Sequence, residues 1–173
     1  MAALFTALLS VSAYIAIPVG SVPFTLQVYV VLLAGMVLGP RLGALSVIAY
    51  LLLGLVAPVY SGGTSGLGVL FGPTGGYLFG FIAAAVVTGL IAGRPDAETP
   101  RLLIASLLGL APIYALGAAW LALQLHLTPA ATVSSGVAPF ILVDIVKAVA
   151  AAFTARALVS LPLGLPAAPR RAR

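Results

Sequence analysis

Pro139-Phe140-Ile141-Leu142-Val143-Asp144-Ile145-Val146-Lys147-Ala148-Val149-Ala150-Ala151-Ala152-Phe153 is the stretch on which the reading of this chain turns. It is an apolar run interrupted only by two opposite charges set three positions apart. On an α-helix residues three apart share a face, so Asp144 and Lys147 point the same way while Ile141, Val143, Val146 and Val149 cover the rest. A charge held at mid-membrane depth costs roughly 2.5–3.5 kcal/mol on insertion scales, so such residues face a bundle interior, a partner or a wet cavity. The pair is therefore either a ligand site or an ion pair that locks the last helix to its neighbours.

The surroundings of this run set the class. With 62% hydrophobic residues and 6% charged, and a mean hydropathy of +1.25, the chain falls far from soluble domains, which carry about 25% charged residues. No Asp, Glu, Lys or Arg occurs in 1–40, 42–93 or 102–143. Each block holds about twice the roughly 20 residues of one helical span. The expectation is an all-α integral membrane protein with six transmembrane helices and a glycine-rich external loop between helices 3 and 4. Residues 1–161 form one transmembrane domain in this reading, and 162–173 a basic, disordered cytoplasmic tail. No alternation of polarity suggests a β-barrel. With no cysteine, disulfides and thiolate metal sites are excluded, and no metal or cofactor is expected.

The predicted helices run over about Ala2–Ile17, Phe24–Leu38, Leu42–Val56, Tyr77–Ala92, Leu102–Leu123 and Ala138–Leu161. Pro18, Gly20 and Pro23 break the first from the second, Gly39-Pro40-Arg41 the second from the third, and Pro112 kinks the fifth. Tyr60–Gly76 carries seven glycines, too many for a stable helix. Irregular backbone near a membrane survives when buried in protein or lining a cavity, so this segment is expected to fold back over the bundle. Gln124–Val137 reads as a polar connection. Five of the eight basic residues lie in 94–101 and 170–173. A cytoplasmic N-terminus puts these and Arg41 inside, and leaves the external connections free of Lys and Arg. The positive net charge of +5 is thus topology information, not a nucleic-acid footprint. Asp144 and Lys147 then sit in the outer half of the membrane.

Other motifs leave two readings each. Gly63-Thr64-Ser65-Gly66 matches a pattern of intramembrane serine proteases, yet the only histidine, His126, lies in a polar loop rather than on a helix beside the serine. Gly72-Pro73-Thr74-Gly75-Gly76-Tyr77 opens a helix whose free N–H groups can hold a carboxylate; close backbone packing explains the same glycines. Gln27 is an amide in an apolar span and needs either a ligand or an interhelical partner. Ala3 and Ala7 present small residues four apart, which let another helix approach closely.

Taken together, Val22-Pro23-Phe24-Thr25-Leu26-Gln27, Tyr60-Ser61-Gly62-Gly63, Leu70-Phe71-Gly72-Pro73-Thr74-Gly75-Gly76-Tyr77-Leu78 and Asp144-Ile145-Val146-Lys147 resemble the biotin-specific substrate-binding subunits of energy-coupling-factor vitamin transporters, over nearly the whole chain. The resemblance implies a cell-membrane protein with an outward vitamin pocket, no catalytic activity of its own, and partners consisting of a transmembrane coupling subunit and two ATPases. It also implies that Ala3 and Ala7 dock the coupling subunit. The absence of a phosphate-binding ATPase loop agrees with dependence on a partner. Biotin offers ureido N–H donors, a ureido carbonyl, an apolar ring and a carboxylate. Asp144 and Lys147 can pair with these by charge-assisted bonds, and Phe24, Tyr60, Tyr77 or Phe71 can cover the ring. Thr25, Gln27, Ser61, Thr74, Gly75 and Gly76 complete the expected site. Which end of biotin meets the charged pair stays open. The competing reading is a proton- or ion-coupled carrier that uses Asp144 and Lys147.

Overall fold

A computed structural model of the chain describes residues 1–20, 22–93 and 97–159. The predicted tail at 162–173 lies outside the described residues. The elements are α1 (Ala2–Tyr14), β1 (Ala16–Val19), β2 (Val22–Thr25), α2 (Gln27–Val56), α3 (Leu67–Leu70), α4 (Gly75–Ala92), α5 (Thr99–Leu125), α6 (Pro129–Gly136) and α7 (Ala138–Val159), with a 3-10 turn at Ser61–Gly63. Among the described residues four helices, α2, α4, α5 and α7, are long and apolar enough to cross a membrane; α1 is apolar but shorter. α4 packs against α2 and α5, α1 against α2, and α7 against α2 and α5.

The helical run of α2 is broken at Gly39, where φ is 78° and ψ is 176°. That backbone region is essentially reserved for glycine, and Pro40 next to it supplies no amide hydrogen. The chain reverses there. A side chain added at Gly43 would lie 3.1 Å from the carbonyl oxygen of Ala34 and from Cα of Gly35, whereas eight residues of straight helix span about 12 Å. Gly39-Pro40-Arg41 thus turns one helical arm back along the other, as its sequence suggested.

Two expectations need correction. The fold is mostly helical but not all-α, because residues 16–25 form an antiparallel hairpin that pairs Ala16 with Thr25, Ile17 with Phe24, Pro18 with Pro23 and Val19 with Val22. The two prolines face each other, and the ladder bonds flank that pair, so neither missing N–H is demanded. Phe24 and Thr25 therefore belong to a strand, and α2 starts at Gln27. Nor is Gln124–Val137 a simple loop. α5 runs on to Leu125, and Thr128 caps α6 by accepting a bond from the Ala131 amide at 3.3 Å.

The glycine-rich segment contains the 3-10 turn at Ser61–Gly63 and one turn of helix, α3, joined by irregular backbone, and its last two glycines open α4. Its beginning folds onto the end of α2: Tyr60 is fully buried, donates its hydroxyl to the Leu51 carbonyl at 2.7 Å, and lays its ring over Gly54.

Candidate functional site

Elements far apart in sequence meet around one cavity. Its lining comes from the hairpin (Val22, Pro23, Phe24, Thr25), the start of α2 (Gln27, Val28), the 60–74 segment (Tyr60, Ser61, Val69, Thr74), α4 (Tyr77, Leu78, Phe81), α5 (Ile113, Tyr114) and α7 (Phe140, Asp144, Lys147). Counting its open mouth and the solvent within it, the cavity holds about 630 Å3 of empty space.

Asp144 and Lys147 are at its centre chemically. Helical spacing puts them on one face, and the Lys147 ammonium lies 2.8 Å from Asp144 Oδ1. The side chains are only 7% and 11% exposed, so the pair is well removed from solvent. Lys147 also donates to the Thr25 carbonyl at 2.6 Å, and its ammonium sits 4.0 Å above the centre of the Phe24 ring, a cation–π arrangement. Phe24 in turn stacks on Phe140, with centroids 5.7 Å apart. The second oxygen of Asp144 accepts a bond from the Tyr114 hydroxyl at 2.6 Å. One carboxylate accepts up to about four bonds, so lone pairs remain for a ligand donor.

The remaining polar groups are neutral. Gln27 donates its amide to the Tyr50 hydroxyl at 2.7 Å. Tyr77 donates to the Gly136 carbonyl at 2.7 Å, which ties α4 to α6. Burial pushes the Tyr60 phenol above its ordinary value, so that its hydroxyl remains a donor. The hydroxyls of Ser61 and Thr74 hold no hydrogen bond among the described residues. The lining therefore combines one internally balanced ion pair, several aromatic faces and a few uncommitted neutral groups. Such a surface suits a mostly apolar ligand carrying a compact set of donors and acceptors.

Of the residues expected from sequence, Phe24, Thr25, Gln27, Tyr60, Ser61, Thr74, Tyr77, Asp144 and Lys147 all line this cavity. Gly75 and Gly76 do not. A side-chain carbon on Gly75 would lie 1.9 Å from the Leu70 carbonyl oxygen, and one on Gly76 2.2 Å from Trp120 Cβ. Both are closely packed, and the Gly75 amide is already bonded to the Gly72 carbonyl. Phe71 points elsewhere; it is exposed and packs on Phe79. Ser65 is exposed and bonds to no base among the described residues, so the protease motif has no partner. Ala3 and Ala7 lie on the exposed side of α1, opposite buried Phe5 and Leu9. Sequence reasoning missed Tyr114, Phe140 and Phe81. Tyr114 had a signal: its hydroxyl lies within an apolar span, and the argument that Gln27 needs a partner applies to it equally.

A family model described as the BioY family matches residues 1–162. The chain belongs to the BioY family. It is 46% identical over 161 residues to a protein of Thermotoga maritima named biotin transporter BioY, covering 92% of this chain and 94% of that one. A Pyrococcus horikoshii protein named probable biotin transporter BioY is 45% identical over 159 residues, covering 91% and 93%. Among solved structures, the S-component for biotin from an ECF-type ABC transporter superposes with a TM-score of 0.83 at 30% identity, covering 92% of this chain and 89% of that one. The hairpin, the fold-back of α2 and the cavity thus occur in a BioY chain that resembles a known S-component over nearly its full length.

Proposed function

We propose that this BioY-family chain is the substrate-specific subunit of an energy-coupling-factor transporter, capturing biotin at the outer face of the cell membrane and passing it inward with partner subunits that hydrolyse ATP. The observation that carries the reading is the cavity built on the Asp144–Lys147 pair and walled by Phe24, Phe81, Phe140, Tyr60 and Tyr77. Asp144 accepts a ureido N–H, Lys147 donates to a ligand oxygen, and the aromatic walls cover the apolar ring.

The chain crosses the membrane six times, through α1, the two arms of α2, α4, α5 and α7. The fold-back at Gly39 supports the count by making two passes of one helical run. With a cytoplasmic N-terminus, the hairpin, the glycine-rich 60–76 connection and α6 are external, and the mouth of the cavity opens outward between them. Residues 1–161 are one transmembrane domain in this arrangement. The exposed face of α1 carrying Ala3 and Ala7 is the docking surface for the coupling subunit, because small residues let a partner helix approach closely.

Equilibrium binding to the purified chain in detergent tests this function, with thiamine and riboflavin as comparators. Biotin binds selectively, and Asp144→Asn weakens it about 10- to 100-fold, since one ionised acceptor oxygen becomes a donor facing ureido N–H groups. Unchanged affinity in a normally melting Asp144→Asn protein would remove the ligand role of the pair.

A further inference from the structure

Tyr114 is the only phenol bonded to Asp144 among the described residues, and it comes from a different helix. From this geometry we infer that Tyr114 is a positioning residue for biotin recognition, one that acts through the Asp144 carboxylate; the inference rests on the biotin-binding reading above. Lys147, one helical turn along α7, holds Oδ1 at 2.8 Å. A carboxylate fixed at one oxygen still swings, because its terminal torsion is broad and roughly two-fold. The Tyr114 hydroxyl, arriving from α5, holds Oδ2 at 2.6 Å. With both oxygens pinned from different helices, the carboxylate plane is set, and its remaining lone pairs stay aligned for a ligand N–H.

The arrangement has a second consequence. Both charged groups are satisfied within the protein before ligand arrives, Asp144 by Lys147 and Tyr114, and Lys147 by Asp144 and the Thr25 carbonyl. The ligand therefore adds bonds to a preset site and need not first break an ion pair, and preorganisation of this kind raises affinity by lowering the ordering cost of binding. Tyr114 lines the cavity itself, so the same ring forms part of the wall against which the ligand rests.

A double-mutant cycle tests the inference, with biotin affinity and melting temperature read for Tyr114→Phe, Asp144→Asn and the pair. Tyr114→Phe removes only the hydroxyl, so melting changes little while affinity falls about tenfold. In the Asp144→Asn background the same change has no further effect, because the carboxylate through which Tyr114 acts is already gone. Tyr29→Phe is the matched control. It deletes another phenol bond to α7, the 2.9 Å contact with Thr154, outside the cavity, and leaves affinity unchanged. Unaltered affinity in Tyr114→Phe overturns the inference, as does a loss of equal size with and without Asp144. If Asp144→Asn weakens binding and Tyr114→Phe does not, the biotin site stands and only the role of Tyr114 falls. If the wild-type chain binds no biotin, both fall.

Discussion

Gln27 and Tyr50 lie 23 positions apart in one run of helical backbone, yet the Gln27 amide donates to the Tyr50 hydroxyl at 2.7 Å. In a straight helix those residues would stand about 35 Å apart. The bond exists because Gly39 reverses the chain, which brings the first turn of one arm beside the last turns of the other. It also fixes the Gln27 side chain at the edge of the cavity, so the site depends on a turn at the far end of the two α2 arms.

Gly39→Ala isolates that dependence. A methyl group at Gly39 would meet no atom within 4 Å, so its cost is purely conformational and comes from the positive φ of 78°. Strain of this kind is worth on the order of 1–3 kcal/mol, and thermal melting of Gly39→Ala in detergent should fall accordingly. Gly68→Ala, which also enters open space but carries no positive φ, is the control and should melt like the wild type. Equal melting of the two variants would mean that the turn tolerates a side chain.

Gly76→Ala distinguishes packing from ligand binding at the start of α4. The added carbon would lie 2.5 Å from the Leu116 carbonyl oxygen as well as against Trp120, and overpacking of this sort typically costs 1–3 kcal/mol. Melting should drop, while protein that remains folded keeps its biotin affinity. A large loss of affinity with normal melting would return the helix start to the list of ligand contacts.

Lys147→Met strands Asp144, which is only 5% exposed. Breaking a buried pair on one side costs about 3–5 kcal/mol, whereas replacing both partners with apolar groups is often neutral or stabilising. Melting should therefore collapse in Lys147→Met and recover in Asp144→Leu/Lys147→Met, with biotin binding absent from both. Binding that returns along with stability in the double variant would make the pair purely structural.

Replacing Ala3 or Ala7 by Trp separates docking from capture. Both positions lie on the exposed side of α1, away from the residues lining the cavity. Bulky side chains there should leave biotin affinity intact and reduce ATP-driven uptake by the assembled transporter. Full uptake in both variants would leave the small residues with no docking role.

Because the chain has no cysteine, single cysteines report its orientation directly. A membrane-impermeant thiol reagent added to intact cells should label Ser135→Cys and spare Glu98→Cys, both positions being exposed in the structure. The reverse labelling would invert the topology and close the cavity to the outside.

Much of the architecture was written in the sequence. Charge-free blocks and proline or glycine breaks placed the long helices, because lipid imposes one strong rule: apolar length sufficient to span, with every backbone group satisfied internally. The i, i+3 spacing of Asp144 and Lys147 was equally local, and nine of the eleven expected site residues line the cavity. The hairpin at 16–25 was hidden, since Ala16–Val19 and Val22–Thr25 are too short to show a period and pair only through each other. Gly75 and Gly76 looked like an anion cradle until Leu70, Leu116 and Trp120 were seen to fill the space beside them. Tyr114 became part of the site only when α5 was laid beside α7. Sequence alone determined where the long apolar helices lie and which residues carry charge; tertiary structure decided which of them meet, because a hydrogen bond between two helices depends on their packing, and packing is not a property of either segment by itself.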